Sequence, residues 1–335
     1  DMAFAHPRTP TYQRLSALKS SKECIGIKQE VASATMQFDA IFPPALVHPT
    51  IDGKIDQKSP KVEQYTMTGS DNWYDIEHQT VSYFRQHALE KAVPVRNVRS
   101  VANNYTVFAL ETFIDEIATE LKQDPLTFRL MKLRGLGVNS GAKKTEKAAA
   151  SFGGGKRLAN VLRIASGLSN YGASDLPEST GLGIAVTGAE VRNNPCFLAV
   201  VAQVAIDKNS AAIDVQKLTC VIDAGIAINP DGIRAQVEGS LLWGLSSALR
   251  EKMTIERGSI KERNFDSYKW QNITKIPQIE IRIVENGIYP SGVGEPATCV
   301  VAPAIGNAIY NATSVRLRSL PFSREELFEG LEKQA

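Results

Sequence analysis

The period of the apolar positions changes part-way along the chain. Residues 1 to 95 carry short apolar stretches broken by Pro7, Pro10, Pro43, Pro44, Pro49 and Pro60, which predicts strands and long loops, with 49–70 as an exposed excursion. From Thr106 onward Val107, Leu110, Ile114, Ile117 and Leu121 recur at steps of three and four, while Asp115, Glu116 and Glu120 fall elsewhere on the circle. That spacing predicts an amphipathic helix with a solvated acidic face. Asp124 followed by Pro125 predicts the capped start of a second helix, which Gly135 ends.

Residues 136 to 156 are small, basic and glycine-rich without periodicity, as in a solvated linker. We therefore expect a first α+β unit over 1–140, a linker over 141–156 and a second α+β unit over 157–335. In the second unit a helix is expected through Leu158, Val161, Leu162 and Ala165. GLGIAV, FLAVVAQVAID and VQKLTCVID read as strands, with DKNS turning the chain between the last two. Asn229 and Pro230 open a long helix to about Leu249, and Ile279, Ile281 and Ile283 alternate as a half-buried strand. Helices are expected near Pro303 and after Ser323, the latter with Glu326 in capping-box spacing. Strands and helices mix without a regular βαβ beat, so the fold class is α+β.

Composition narrows the function classes. The 335 residues, 43% hydrophobic and 22% charged, have the make-up of a soluble globular protein with room for more than one core. Thirty-eight basic against thirty-six acidic residues leave +2, too weak a field to imply nucleic acid or an anionic membrane, so a small-molecule substrate is the expected partner. No apolar run reaches the about 20 residues of a membrane span, and no secretory pattern opens the chain. Localisation stays open. Cys24, Cys196, Cys220 and Cys299 lie far apart and predict buried free thiols rather than a zinc or iron–sulfur site. The four histidines match no metal-ligand spacing, so no metal held by protein side chains is assigned.

Two motifs imitate nucleotide sites. GLGIAV starts like a dinucleotide fingerprint, but Val186 stands where its third glycine belongs and a strand follows. FGGGKR resembles a phosphate loop, yet Arg157 replaces the Ser or Thr that would hold magnesium. Residues 290–305, PSGVGEPATCVVAPAI, say more. Gly292 and Gly294 permit a sharp turn and close approach to a ligand, Val293 lies between them, and Pro296 fixes the chain after Glu295. From these residues alone an exposed turn with a solvated glutamate is the favoured reading.

This segment resembles the C-terminal signature of the xanthine dehydrogenase and aldehyde oxidase family, in which a G-x-G-E loop presents a glutamate beside molybdenum. The resemblance runs along nearly the whole chain and is nearest to the branch with separate subunits that includes the isoquinoline oxidoreductase large subunit. RNVRSVANNYTVFALETFIDEIATELKQDPLTFRL resembles the family's arginine loop, acidic helix and D-P-x-x-F-R sequence. VIDAGIAINPDGIRAQVEGSLLWGLSSAL resembles the loop and helix whose glutamine, here Gln236, touches the cofactor, and VRLRSLPFSREEL resembles the terminal sequence.

The resemblance implies layered α/β sandwich units of a molybdenum-cofactor-binding domain, with Glu295 as catalytic base. Gln236, Arg99, Ser100, Val101, Gly292, Val293 and Gly294 would contact the cofactor. Ala102 departs from the family's glycine and puts the close backbone approach there in question, while Gly239 and Gly244 are expected to serve helix packing. The implied reaction is water-dependent hydroxylation of an aldehyde or N-heteroaromatic carbon, with a molybdopterin cofactor in its cytosine dinucleotide form. A base in that role calls for a partly buried carboxylate. Implied partners are a small 2Fe-2S subunit and an N-terminal half of the same subunit bearing a pterin-clasping loop that this sequence does not resemble. The chain is thus expected to be a C-terminal piece, without cofactor and self-associating when alone. A non-catalytic scaffold retaining the fold is the alternative.

Overall fold

The computed structural model describes residues 8–34, 50–51, 54–55, 66–70, 72–92, 95, 97–134, 154–172, 175–191, 194–257 and 259–334. In chain order its first elements are β1 (Thr11–Lys19), β2 (Cys24–Ser33), β3 (Thr50–Ile51), β4 (Lys54–Ile55), β5 (His78–Arg85), α1 (His87–Ala92), α2 (Asn103–Glu120) and α3 (Pro125–Lys132). Then follow α4 (Gly154–Leu168), β6 (Thr180–Val191), β7 (Asn194–Asp207), β8 (Ala212–Asp223), α5 (Pro230–Leu249), β9 (Ile255–Glu256), β10 (Ser259–Ile260), β11 (Gln278–Val284), α6 (Pro296–Cys299), α7 (Val301–Thr313) and α8 (Arg324–Glu332). Of the expected linker, 141–153 lies outside the described residues, and Gly154 to Lys156 form the first turn of α4. The excursion expected at 49–70 and the stop at Gly135 fall largely outside them as well.

The architecture is α+β. β6, β7 and β8 form an antiparallel meander, and β11 adds to the far edge of β8 in parallel, so the sheet order is β11-β8-β7-β6. The inner strand β7 carries the apolar run Cys196–Ala202, interrupted only at Gln203 before Val204–Ile206, because both faces of the sheet are covered. Leu198, Val200, Ala202, Val204 and Ile206 pack toward residues of α5 and α7, while Phe197, Ala199 and Val201 pack toward α4 and α2. A second sheet, β1-β2-β5, is antiparallel between β1 and β2 and parallel between β2 and β5. Residues from both sides of the expected linker share one core, in which Leu110, Ile114 and Phe128 meet Leu158, Leu162 and Ile184.

Local chemistry sets the helix starts. The Asp124 side chain accepts from Thr127 N at 2.7 Å, Asn229 from Gly232 N at 3.0 Å, and Ser323 from Glu326 N at 3.1 Å. The helix expected near Pro303 begins earlier, at Val301, directly behind the short α6 that Pro296 opens. The glycines of GLGIAV serve packing: a Cβ at Gly181 or Gly183 would overlap the backbone of α7, so the strand and helix touch there.

One expectation for α2 is overturned. Asp115 is 4% exposed and does not face solvent. The Arg129 guanidinium, fully buried, reaches Glu111 Oε2 at 3.1 Å and Asp115 Oδ1 at 3.4 Å, and Arg316 meets Asp115 Oδ2 at 3.2 Å. Tyr74 donates to Glu111 Oε1 at 2.7 Å and the Val186 amide to Glu111 Oε2 at 3.1 Å. Burial works to lower the Arg129 pKa, but Glu111, Tyr74 and Asp115 together hold it above the usual arginine value. Glu116 is partly exposed and pairs with Arg318. The acidic stripe ties α2 to α3 and to the segment after α7.

Candidate functional site

Three segments converge. The first is the loop before α2. Ser100 (φ 71°) and Val101 (φ 47°) both adopt left-handed backbone angles, strained for residues with a Cβ and acute for a β-branched one. Arg8 holds this loop, its guanidinium donating to Val101 O at 2.7 Å and Arg99 O at 3.0 Å, and Asn104 Nδ2 adds a bond to Arg99 O at 2.8 Å. Burial brings the Arg8 pKa down to about 10 against the pull of Tyr105, Glu251, Cys299 and Glu295. Ala102 is fully buried against Val31 and Tyr105, so its methyl turns into the core and does not obstruct the face beyond the loop.

The second segment is 291–295. Neither Gly292 nor Gly294 uses a positive φ, contrary to the role expected for them; the left-handed residues here are Ser100 and Val101. A Cβ at Gly294 would lie 3.6 Å from Gln236 Oε1, an ordinary van der Waals contact, so neither φ nor protein packing demands glycine there. Val293 is half-buried against the core and Gly292 is exposed. Glu295 occupies the N-cap of α6 without a side-chain capping bond, and its residue is exposed rather than partly buried. Behind it, Pro296 to Val300 are buried and fix the loop's exit.

The third segment is the first two turns of α5. Gln236 faces outward, and Ser240, one turn on, is fully buried.

Arg99 joins the three. Its Nε donates to Gly294 O at 2.6 Å, and one terminal nitrogen donates to Gln236 Oε1 at 3.1 Å and Gln236 O at 3.2 Å. The guanidinium carbon lies 5.9 Å from the centre of the Trp243 ring. Burial lowers the Arg99 pKa, and the Glu295 charge partly restores it. Ser240 Oγ donates to Gly294 O at 3.2 Å, and Ser100 Oγ, 1% exposed, to Glu295 O at 2.5 Å. The Ser100 side chain thus points inward and pins the glutamate's backbone. Gly244 packs closely, its Cβ position overlapping Thr298 O and Val301, whereas Gly239 faces Arg99 and does not pack against a helix.

Arg99, Ser100, Gln236, Gly294 and Glu295 therefore come together from segments up to 195 residues apart. Arg8 and Ser240 were not foreseen as part of this arrangement. Ser240 had a signal, its shared helix face with Gln236, but Arg8 had none.

A family model for the molybdopterin cofactor-binding domain matches residues 169–277. The chain is 36% identical over 332 residues to a membrane-bound aldehyde dehydrogenase of Gluconacetobacter polyoxogenes, covering 99% of this chain and 41% of that relative. It is 28% identical over 263 residues to isoquinoline 1-oxidoreductase subunit beta of Brevundimonas diminuta, with 77% and 31% covered. The chain belongs to the molybdopterin-binding subunits of the xanthine dehydrogenase and aldehyde oxidase family. It spans less than half the length of these two relatives. Among solved structures, quinoline 2-oxidoreductase from Pseudomonas putida 86 shares the fold at a TM-score of 0.72 and 12% identity, over 99% of this chain and 63% of that one. Aldehyde oxidoreductase from Desulfovibrio gigas does so at 0.67 and 14%, over 98% and 50%. The Gluconacetobacter relative is named for pyrroloquinoline quinone. The molybdopterin-domain match is a property of residues 169–277 themselves.

The side chains present suit a molybdopterin. The Gln236 amide nitrogen makes no hydrogen bond among the described residues, its oxygen being held by Arg99. The Glu295 carboxylate forms no ion pair among them, and Gly239 keeps the space before Arg99 open. An amide donor and a guanidinium match a ligand rich in heteroatoms and negative charge, and a carboxylate nearby can accept from the ligand's donor groups. Among the described residues no group of three or more His, Cys, Asp or Glu side chains could hold a metal ion, and no helix among them is long and apolar enough to cross a membrane.

Proposed function

We propose that this chain is the C-terminal part of a molybdenum hydroxylase large subunit that oxidises an aldehyde or N-heteroaromatic carbon with water as oxygen source. The reading is supported by Arg99, which bonds both Gly294 O, one residue before Glu295, and the Gln236 side chain, so that the segments bearing Gln236 and Glu295 are held side by side. When bound, the cofactor, in its cytosine dinucleotide form, supplies the redox chemistry. Glu295 is the base, accepting a proton on its carboxylate as the new carbon–oxygen bond forms. Gln236 donates its free amide hydrogens to the cofactor's heteroatoms. Arg99, Ser100 and Ser240 hold the two backbones at fixed separation, and Val101, Gly292, Val293 and Gly294 shape the wall. Glu295, exposed in this chain, would be covered by the cofactor and the rest of the subunit in the full-length protein. Electrons leave to a small 2Fe-2S subunit.

Gln236→Ala in the full-length protein tests the assignment. Cofactor retention should fall while the melting temperature stays near that of the parent, because Gln236 is exposed and buries nothing. A collapsed melting temperature with molybdenum still bound would make the residue structural.

The chain by itself should fold without cofactor. Binding from one side must still offset the whole entropic cost of immobilising the ligand. Ile226, Ile228 and Tyr289, 44%, 78% and 80% exposed on loops leading into the site, favour self-association of the isolated chain. Bound molybdopterin on a monomer of these 335 residues would contradict both expectations. The scaffold alternative requires a full-length protein that carries no molybdenum.

A further inference from the structure

Two loops lead into the site, and one buried carboxylate lies at the root of both. Asp223, the last residue of β8, is 1% exposed. Its Oδ1 accepts from Arg157 at 2.6 Å, from the Gly225 amide at 3.1 Å and from Asn286 Nδ2 at 2.7 Å; its Oδ2 accepts from Arg157 Nε at 2.9 Å and Asn286 Nδ2 at 2.8 Å. Arg157 is itself fixed, its guanidinium carbon 4.7 Å from the centre of the Phe197 ring. The Gly225 bond starts the loop that passes through Asn229 into α5 and Gln236. The Asn286 bond starts the loop that ends at Glu295.

The loops also bond to each other. Ile226 N donates to Ile288 O at 2.9 Å, Ser291 N donates to Ala224 O at 2.8 Å, and Asn286 Oδ1 accepts from Ile288 N at 2.9 Å. Gly225 has φ +80°, and a Cβ there would lie 2.6 Å from both Ile288 O and Tyr289 O, so no side chain fits between the loops. Each loop is therefore braced by the other and by the same carboxylate.

We infer that Asp223, acting through Asn286, is a positioning residue that ties the Gln236 arm to the Glu295 arm and sets their separation. The inference rests on the proposed roles of those two residues, although the coupling itself belongs to the fold. Asn286 touches neither of them, yet loosening it should be felt on both arms. Arg157→Ala or Asp223→Ala would strand a buried charge and lose the fold. Asn286→Ala leaves the Arg157–Asp223 pair intact and is the cleaner change.

Amide hydrogen exchange on the full-length protein reads the coupling without reference to activity. In Asn286→Ala the Ile288 amide loses its acceptor, and Ile226 on the opposite arm should exchange about tenfold faster along with it, as for a hydrogen bond opened locally. Asn286→Asp, which sets a second carboxylate beside Asp223, should give the same pattern more strongly. Cofactor content should fall in both. Faster exchange confined to residues 286–291, or no change on either arm, would overturn the inference. If both arms loosen while Gln236→Ala keeps its full molybdenum content, the coupling stands and the assignment of Gln236 falls.

Discussion

Glu295→Gln in the full-length protein is expected to keep the fold and the molybdenum content and to lower kcat by about 10²- to 10⁴-fold, the range for a positioned general base. The amide has the carboxylate's shape but cannot accept the proton. What holds residue 295 is unaffected, because Ser100 bonds its backbone oxygen and Pro296 opens α6 regardless of its side chain. A steady-state comparison at neutral pH checks it, with metal analysis on the same samples. Turnover equal to the parent's would remove Glu295 from the reaction.

The largest stability effect is expected at Arg129, far from any reacting group in role. Arg129→Ala leaves Glu111 and Asp115 buried with one cation fewer, and breaking such a pair by removing one partner costs about 3–5 kcal/mol. Arg316 still faces Asp115, but Glu111 keeps only Tyr74 and the Val186 amide. Urea unfolding should show the loss as a lower midpoint. A change below about 1 kcal/mol would mean that the cluster behaves like a surface pair.

What could be read from the sequence was local or periodic. Asp124 with Pro125, Asn229 with Pro230, and Ser323 each announced a helix start because the capping bond spans only three residues. β7 was visible as an apolar run because its neighbours on both faces are apolar too, and β11 as an alternation because it is only half-buried. Asp115 misled, since a carboxylate on a helix normally faces water and its burial depends on Arg129 and on Arg316, 201 residues away. Arg8 was invisible for the same reason, its bonds reaching 91 and 93 residues along the chain. In the site, glycines between 292 and 294 suggested unusual backbone angles, but the strain lies in Ser100 and Val101, where a bonded tertiary loop and not composition sets φ. The resemblance of motifs in order pointed to segments that the fold brings together; their mutual bonds through Arg99 could not be read from any one segment.

On the proposed function, this chain helps to hold a molybdenum cofactor between Gln236 and Glu295. Metal and cofactor analysis of the purified full-length protein tests it most directly. About one molybdenum per large subunit is expected, released as a molybdopterin, with a clear loss of it in Gln236→Ala. A full-length, active protein carrying pyrroloquinoline quinone and no molybdenum would contradict it.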